Sequence, residues 1–467
     1  MPDPTAFQIA GAVAPRGPQL AGWGRVFGPG RAMVSDDLLR ASASATLLRG
    51  LGRSYGDSAL PAPGTLDVVA TPLADRILAW DPLTRVLRAE AGLSLYTLNR
   101  LLHPRGFFIP VTPGTQFVTL GGMVASDVHG KNHHVSGTIG RHVRALRMHI
   151  ADGSVLDCSP TVHPDLFWAT VGGMGLTGAI LEVELTMDQL PSQWIDQVVS
   201  RHGDFDSLVH GLTDASANWP MTVAWIDCLK RGSGMGRGVL YAGKWAEPDR
   251  APQRPAPWLK GSLPFPIAAP FDAFVPPVVS LLNTAVYWRQ LRPRAASILA
   301  PEPFFYPLDG LQNWNRAYGP KGFTQHQAII PREAGPEALR HFLDTLTSAS
   351  AASFLCVLKD CGAEGRGMLS FPRPGTSIAV DLPVRADTPQ VIARLNDVVI
   401  EVGGRIYLTK DRYTTPEQYA AMDPRIDAFL EVRRRWDPQL RFRSAQSVRM
   451  FGDPPLAGGV AGGSSMP

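Results

Sequence analysis

A glycine-rich loop that cannot lead into a helix sets the first limit on the fold of this chain. The loop, RGLGRSYGDSAL at 49–60, places Gly50, Gly52 and Gly56 in a G-x-G-x-x-x-G pattern, one residue longer than the dinucleotide-binding motif. That motif also needs a helix directly after it, whose N-terminus holds the pyrophosphate, whereas the next residues here read PAPG. The pattern argues against a Rossmann fold and leaves a loop whose successive backbone N–H groups can bind phosphate.

Strand-turn-strand patterns dominate the first 190 residues. The segments RILAWDPLTRVLRAEAGL (76–93) and VRALRMHIADGSVLDCS (143–159) alternate apolar and polar residues around turn sequences, which predicts two β-hairpins. Helices are predicted for SLYTLNRLLHPRG and HPDLFWATVG, and a strand for TGAILEVELTM (177–187). Hairpins mixed with helices are typical of an α+β fold rather than of a regular βαβ alternation.

The pattern changes near residue 191. The runs MTVAWIDCL, GFTQHQAIIP, SFLCVLKDCG and SIAVDLPV predict an antiparallel sheet, with helices over PEALRHFLDTLTSA and PQVIARLNDVVIE. GGRIYLTKD predicts a strand at 405–409, and PEQYAAMDPRIDAFLEVRRRWDP is helical. We therefore expect a first domain over 1–190, a cap domain over 191–406, a return to the first domain over 407–452 and a disordered tail over 453–467.

Charge and cysteine content exclude several classes of protein. A net charge of +4 over 467 residues is too small and too dispersed for a surface that binds nucleic acid. The four cysteines form no C-x-x-C pair, which argues against a zinc site or a disulfide framework. The N-terminus lacks the pattern of a secretory signal, and the most apolar segment, 263–288, contains five prolines and an aspartate. We expect a cytoplasmic protein without a membrane span.

The segment TPGTQFVTLGGMVASDVHGKNHH (112–134) allows three interpretations. Its four glycines permit backbone to approach a flat or anionic ligand closely. His129, His133 and His134 are candidate metal ligands, with Asp127 as the nearest carboxylate. Gly130 argues against the helix that the His129–His133 spacing would need for a metal, and a hydrogen-bonded core pair of His133 and His134 is favoured over a metal site. A later GMGLTG motif matches G-x-G-x-x-G, but a helix precedes it and a strand follows, so it indicates a tight turn beside a ligand.

Three motifs, taken in order, resemble one protein family. RGLGRSYGD, PGTQFVTLGGMVASDVHGKNHH and GGMGLTGAILEVEL resemble the FAD-binding domain of the vanillyl-alcohol-oxidase/PCMH-type flavoproteins. The resemblance implies two α+β subdomains that hold FAD, with the first loop around the pyrophosphate and the second along the isoalloxazine. Many relatives carry in the first loop a histidine that bonds covalently to the flavin. Arg53 stands at that position here, which implies non-covalent FAD.

Within this family the chain resembles enzymes that oxidise a polyprenyl-phosphate-linked ribose, through DVHGKNHH, WNRAYGP, FTQHQAIIP, GGRIYLTKD and VRRRWDP. The resemblance assigns FAD contacts to the two loops and two later positions: Arg49, Gly50, Leu51, Gly52, Arg53, Ser54, Tyr55, Gly56, Asp57, Ser58, Gly114, Thr119, Leu120, Gly121, Gly122, Ser126, Asp127, Val128, His129, Ile180 and Tyr407. It assigns catalytic roles to Lys410, Tyr55 and His129, the last two as a proton relay. It assigns substrate contacts to Tyr306, Gln325, Gln327, Lys359, Ala379 and Asp381.

The chemistry of several of these residues supports their roles. Lysine is scarce, with seven residues in the chain, and Lys410 directly follows the last predicted strand, where a cation would stabilise the N1–C2=O edge of the flavin. Lys359 lies on the apolar strand FLCVLKD and needs a partner charge, which a substrate phosphate would supply. Gln325 and Gln327 alternate along one strand and therefore point to one face, where they suit sugar hydroxyls.

The resemblance implies an oxidoreductase that converts the 2-hydroxyl of a polyprenyl-phosphate-linked pentose to a 2-keto sugar in cell-envelope arabinan precursor synthesis. A separate NADH-dependent reductase would complete the epimerisation, and contact with the inner membrane would be peripheral. Ala379 replaces the pocket cysteine that nitroaromatic inhibitors attack in the mycobacterial enzymes, and 230–300 diverges, so the substrate stays open. The alternatives are an FAD-dependent oxidase of a soluble sugar, alditol or sugar lactone, and a binding module without flavin.

Overall fold

The computed structural model describes residues 18–258, 263–265, 274–349 and 353–455. Within these ranges no helix is both long and apolar enough to cross a membrane. Residues 266–273 of the most apolar segment and 456–467 of the expected tail lie outside the described residues. The sequence predicts a disordered tail from residue 453, but the carboxylate of Asp453 is buried and accepts a hydrogen bond of 2.8 Å from Arg433. The packed chain therefore extends into that segment.

The first unit combines short strands with short helices. Its strands are β1 (Gln19–Ala21), β2 (Phe27–Pro29), β3 (Arg31–Val34), β4 (Leu48–Arg49), β5 (Asp67–Ala70), β6 (Ile77–Asp81), β7 (Val86–Glu90), β8 (Phe107–Phe108), β9 (Val143–His149), β10 (Val155–Cys158), β11 (Ala179–Thr186) and β12 (Asp188–Gln189). Its helices are α1 (Leu38–Ser42), α2 (Leu95–Leu102), α3 (Leu120–Ala125), α4 (His133–Ser136) and α5 (Pro164–Thr170).

Both predicted hairpins are confirmed, and together they build one sheet. Strands β6 and β7 pair antiparallel, as do β9 and β10, and β11 joins them in the order β10-β9-β11-β7-β6. Gly153 in the second turn has a φ of 89°, a conformation that glycine adopts without steric cost. A parallel sheet in the order β3-β5-β4 was not predicted, because its strands of two to four residues are too short for a periodic pattern.

The second unit follows from residue 195. Its strands are β13 (Ile195–His202), β14 (Met221–Ile226), β15 (Gly238–Trp245), β16 (Leu263–Pro264), β17 (Arg294–Leu299), β18 (Leu311–Gln312), β19 (Phe323–Pro331), β20 (Cys356–Cys361), β21 (Gly375–Pro383) and β22 (Arg405–Ile406). Its helices are α6 (Phe205–Asn218), α7 (Pro276–Arg289), α8 (Pro301–Phe305), α9 (Gly335–Ser348) and α10 (Thr388–Glu401). The chain continues with α11 (Pro416–Met422), α12 (Ile426–Trp436) and α13 (Ala445–Phe451).

The predicted antiparallel sheet is confirmed as an eight-stranded sheet in the order β17-β13-β15-β14-β20-β21-β19-β22. The strand expected at 405–409 is shorter than predicted and ends at Ile406. Its continuation turns because the N–H of Lys410 donates to the carbonyl of Tyr407 at 2.9 Å. Just before the turn, the N–H of Tyr407 donates to the carbonyl of Gln327 at 2.9 Å. The turn therefore places Lys410 at the edge of the sheet.

The two faces of this sheet have different neighbours. Alternate residues such as Ala328, Leu358 and Ile378 belong to a core that includes residues of α6, α9 and α10. The intervening residues point to the opposite face, which holds the polar side chains discussed below. The connection between α12 and α13 contacts the first unit again, since the N–H of Arg443 donates to the carbonyl of Thr46 at 2.8 Å.

Candidate functional site

The first glycine-rich loop lies in close contact with two other segments. A Cβ at Gly56 would lie 1.7 Å from the backbone oxygen of Asp411, and one at Gly50 would lie 2.4 Å from Thr119 Oγ1. Gly52 has a φ of 63°. No helix follows this loop, which agrees with the argument against a Rossmann site. The glycines therefore let the loop, the second glycine-rich segment and the returning chain approach one another.

The loop presents unpaired donors. Within the described chain, the backbone N–H groups of residues 50–54 have no acceptor, and the buried Nε of Arg53 and Oγ of Ser58 have no partner. The Arg53 guanidinium lies 4.1 Å from the ring centroid of Trp23. Burial lowers the pKa of Arg53 to about 10, so the side chain remains a cation at neutral pH. Successive N–H groups beside a buried cation fit the pyrophosphate of FAD.

The second loop is fixed at both ends. Thr119 caps α3 by accepting a hydrogen bond from the N–H of Gly122 at 3.2 Å. At the other end, the hydroxyl of Tyr407 donates to the carbonyl of Ser126 at 2.7 Å. The buried carboxylate of Asp127 accepts hydrogen bonds from two protein groups, so it shapes the loop from within. The loop is thus a rigid wall that joins the two units.

The three histidines of this loop are held separately. One ring nitrogen of each histidine has a different partner: His129 Nε2 contacts Gln327 Nε2 at 3.0 Å, His133 Nδ1 accepts from the N–H of Gly362 at 3.1 Å, and His134 Nε2 contacts the carbonyl of Trp219 at 2.9 Å. These separate partners argue against the metal interpretation. Among the residues described, no group of three or more His, Cys, Asp or Glu is placed to hold a metal ion.

One face of the eight-stranded sheet carries most of the predicted substrate residues. They are Gln325, Gln327, Lys359, Ala379 and Asp381, together with Ser377. Direct cross-strand pairing places Gln325 opposite Asp381 and Gln327 opposite Ala379. Gln327 also lies 3.1 Å from Ser377 Oγ. The expectation that both glutamines share a face agrees with this register, because directly paired residues of antiparallel strands point to the same side.

A buried acid and a lysine meet on this face. Gln325 Nε2 donates to Asp381 Oδ1, and the hydroxyl of Tyr318 lies 3.5 Å from Oδ2. Burial raises the pKa of the Asp381 carboxyl to about 7, although these bonds and Lys410 oppose the shift. Lys410 Nζ lies 3.8 Å from the ring centroid of Tyr55. Burial lowers the pKa of Lys410 to about 7, and Asp381 opposes that shift.

Three of the seven lysines, Lys131, Lys359 and Lys410, interact electrostatically with one another. Lys359 lowers the pKa of Lys410 and, after burial, that of Lys131, which falls to about 7. Lys131 Nζ donates to the carbonyl of Phe305 at 3.1 Å. All three lysines are half-buried, and burial is the largest cause of the lowered pKa of each. Sequence reasoning missed Lys131, although the scarcity of lysine and its place in GKNHH were available signals.

The remaining predicted positions lie around this centre. Tyr306 is buried in the core of the first unit, where its hydroxyl is bonded to Asn99 Nδ2 at 2.9 Å and Thr112 Oγ1 at 2.6 Å. Ile180 is buried on β11, and Gly114 is exposed. The structure therefore brings together the two glutamines, the acid and the lysines, and it holds the Tyr306 hydroxyl within a separate polar group.

Comparison with known proteins relates the chain to flavin-dependent oxidases. Residues 37–159 match the family model of an FAD binding domain. The chain is 35% identical over 450 residues to decaprenylphosphoryl-β-D-ribose oxidase of Mycolicibacterium smegmatis, which covers 92% of this chain and 97% of the relative. It is 23% identical over 393 residues to L-gulonolactone oxidase of Bos taurus, covering 81% of this chain and 83% of the relative. The lactone oxidase is thus the more distant of these two relatives.

Proposed function

Because this chain belongs to the family of decaprenylphosphoryl-β-D-ribose oxidase and is an FAD-dependent oxidoreductase, we propose that it oxidises the 2-hydroxyl of a polyprenyl-phosphate-linked pentose to a ketone. One observation carries the choice of substrate class. Among the described residues no carboxylate contributes to the pKa of Lys131 or Lys359, and Lys359 lies on the sheet face that presents amide and carboxylate groups. Unpaired cations fit a phosphate, and the amides and carboxylate fit sugar hydroxyls.

The cofactor would be held by the two glycine-rich loops. The N–H groups of residues 50–54 would bind its pyrophosphate, and Thr119, Ser126 and Tyr407 would position its ring system. Arg53 at the linkage position supports non-covalent binding. When bound, FAD supplies the acceptor for the hydride removed from the sugar carbon.

Asp381 is the proposed proton acceptor. At a pKa near 7 its carboxylate takes a hydroxyl proton at neutral pH more readily than an ordinary aspartate does. Oδ2 is the available oxygen, because Oδ1 already accepts from Gln325 and the contact of Oδ2 with Tyr318 is long, at 3.5 Å. In its protonated form Lys410 stabilises the ionised form of this carboxylate.

His129 has a different role in this proposal. Burial, followed by Lys359 and His133, lowers the pKa of His129 well below its usual value, so the ring stays neutral. Its Nε2 contacts Gln327 Nε2, which fixes the remaining proton on Nδ1, a buried atom without a partner in the described chain. His129 therefore orients the substrate or cofactor as a hydrogen-bond donor.

The product would be a 2-keto sugar that remains attached to the polyprenyl phosphate. Its ketone is a substrate for hydride return from the other face, which would invert the carbon. We assign that step to a separate NADH-dependent reductase, since Asp381 and the lysines described here serve a single hydroxyl oxidation.

Anaerobic bleaching of the flavin tests this proposal. The FAD-loaded protein is mixed with polyprenylphosphoryl ribose, free ribose, an alditol and gulono-1,4-lactone, and absorbance is followed near the flavin band. Bleaching should require the phosphate-linked sugar, and Lys359→Met should weaken its binding about tenfold or more, because one charge-assisted contact is lost. Lys321→Met, which removes an exposed lysine, is the matched control. Faster bleaching by the lactone or the alditol would instead identify an oxidase of soluble substrates.

A further inference from the structure

Helix α7 is apolar on both of its sides. Val279, Asn283 and Tyr287, spaced four residues apart, are buried and face the sheet. The opposite stripe is also apolar yet exposed, with side chains accessible to the following extents: Val278 42%, Leu281 72%, Leu282 40% and Trp288 50%. A helix with an apolar exposed stripe needs a partner for that stripe, because single exposed apolar residues are common but a contiguous row is not.

The charges around this stripe have one sign. Residues 274–300 contain no Asp or Glu, and Arg289 and Arg292 are exposed at the end of the helix. Arg201 lies 4.1 Å from the ring centroid of Trp288. Asp227, which accepts from the Asn283 amide at 2.8 Å, is buried and bound to an arginine. The apolar stripe is therefore bordered by cations without a competing exposed carboxylate on the helix itself.

This helix lies over the same sheet face as the candidate site. Tyr287 packs with Trp225 and Val239 on that face. Cross-strand pairing then leads from Trp225 to Val357, to Ala379 and to Gln327. These residues occupy four adjacent strands, so Trp225 and Gln327 are separated by three strand spacings, about 14 Å.

We propose that α7, with Arg289 and Arg292, docks this protein on an anionic lipid bilayer. Apolar side chains and Trp288 would enter the headgroup boundary, and the arginines would bind lipid phosphates. The inference deepens the proposed function and rests on it in one respect: a polyprenyl chain leaving the bilayer would reach the site along this face. The three strand spacings between Trp225, which packs with Tyr287 of α7, and Gln327 make that path short.

A second copy of the chain is a less suitable occupant. A twofold contact through α7 would bring the arginines of both copies into one interface, because a twofold interface uses one patch twice. No carboxylate in residues 274–300 is available to neutralise them. An anionic bilayer supplies both the apolar layer and the opposite charge.

Vesicle sedimentation of the FAD-loaded protein tests this assignment. Vesicles of phosphatidylcholine with about 30% phosphatidylglycerol have a negative surface and should bind the protein. Vesicles of pure phosphatidylcholine lack that charge and should bind it much less. Arg289→Gln with Arg292→Gln should lower the partition coefficient about 25-fold, or about fivefold per arginine. Leu281→Gln with Leu282→Gln should lower it about tenfold or more, because apolar insertion is lost.

Matched variants on other surfaces provide the controls. Leu83→Gln removes a leucine that is 92% exposed on the β6–β7 turn, and Arg394→Gln removes an exposed arginine of α10 on the opposite side of the sheet. Both should bind vesicles as the parent does. Melting temperature and flavin content should be unchanged in every variant, because the replaced side chains are exposed.

Three outcomes would overturn the proposal. They are parent protein that does not bind anionic vesicles, α7 variants that bind as well as the controls, and a parent dimer in light scattering that Leu281→Gln with Leu282→Gln dissociates. The proposed function is tested separately by bleaching with polyprenylphosphoryl ribose in detergent. Bleaching without vesicle binding rejects the docking surface alone, whereas vesicle binding without bleaching supports docking and rejects the substrate.

Discussion

Replacing Lys410 by methionine removes one charge from the candidate site and keeps most of the side-chain volume. Lys410 Nζ lies 3.8 Å from the Tyr55 ring centroid, and its charge interacts with Asp381 and Lys359. If the cation makes one charge-assisted contact that strengthens as the sugar is oxidised, its loss costs about 2–3 kcal/mol. At about 1.4 kcal/mol per factor of ten, the rate of flavin reduction should fall about 30- to 150-fold.

The pH profile gives the second readout for Lys410→Met. Burial lowers the folded-state pKa of Lys410 to about 7, so the cation is lost from the folded protein as pH rises through 7. The parent should therefore lose activity on the alkaline side, and Lys410→Met should lack that decline. Asp381 has a pKa raised to about 7, so the acid-side decline should remain in Lys410→Met and disappear in Asp381→Asn.

Lys410→Met should lower the rate of flavin reduction but raise the free energy of unfolding. Between pH 7 and 10.5 the unfolded chain binds a proton at Lys410 that the folded chain does not, so stability rises with pH in that window. Below pH 7 the folded protein bears the full cost of burying the cation. Because Lys410 keeps some accessible surface and faces Asp381, we expect Lys410→Met to stabilise the cofactor-free protein at neutral pH by about 1–2 kcal/mol.

Stopped-flow absorbance under anaerobic conditions measures flavin reduction, and urea unfolding measures stability. Lys321→Met, at an exposed lysine of the same unit, should change neither quantity. The reasoning is refuted if Lys410→Met retains a rate within about threefold of the parent while binding FAD normally, since that difference is below one charge-assisted contact. An alkaline decline that persists in Lys410→Met would equally assign it to another group.

Three further results are expected. Acid precipitation should release all flavin into the supernatant, and colour retained by the denatured protein would contradict non-covalent binding. Arg433→Leu should destabilise the protein by about 3–5 kcal/mol in urea unfolding, because it leaves the buried Asp453 without its partner, whereas Arg433→Lys should cost less. Nitroaromatic inhibitors that require a thiolate should form no adduct here, and Ala379→Cys should form one by intact-protein mass spectrometry; a parent adduct would show that Ala379 does not occupy the cysteine position.

The local elements were predictable because short-range patterns decide them. The hairpin of β6 and β7 and the one of β9 and β10 follow from alternation around turn residues, and α2 follows from its leucine spacing. The strand at 405–409 was predicted too long because alternation continues beyond the last partner. Tyr407 N–H still donates to the Gln327 carbonyl of the neighbouring strand. The chain then leaves the sheet, because the N–H of Lys410 donates to the carbonyl of Tyr407 and forms a turn.

The site was predictable in part. Gln325 and Gln327 could be placed on one face from strand periodicity alone, and the register with Asp381 then required the structure. Lys131 was missed because a lysine in a loop is ordinarily solvated, and the folded chain alone brings it to Lys359. The cysteines illustrate the same limit. Cys356 pairs with Val380, the neighbour of Ala379, so Cys356 and Ala379 point to opposite faces of the sheet. The sequence alone does not give this pairing.

Helix α7 and the buried lysines together explain why this sequence retains features that oppose stability. An exposed apolar stripe and three lysines whose charged forms are disfavoured by burial each cost free energy in the isolated protein. Both features would be offset by one kind of ligand, since a polyprenyl phosphate has an apolar chain that belongs in a bilayer and an anion that pairs with Lys131 and Lys359. The sheet face between α7 and Gln327 connects the two, so the proposed substrate would account for both the exposed stripe and the buried lysines.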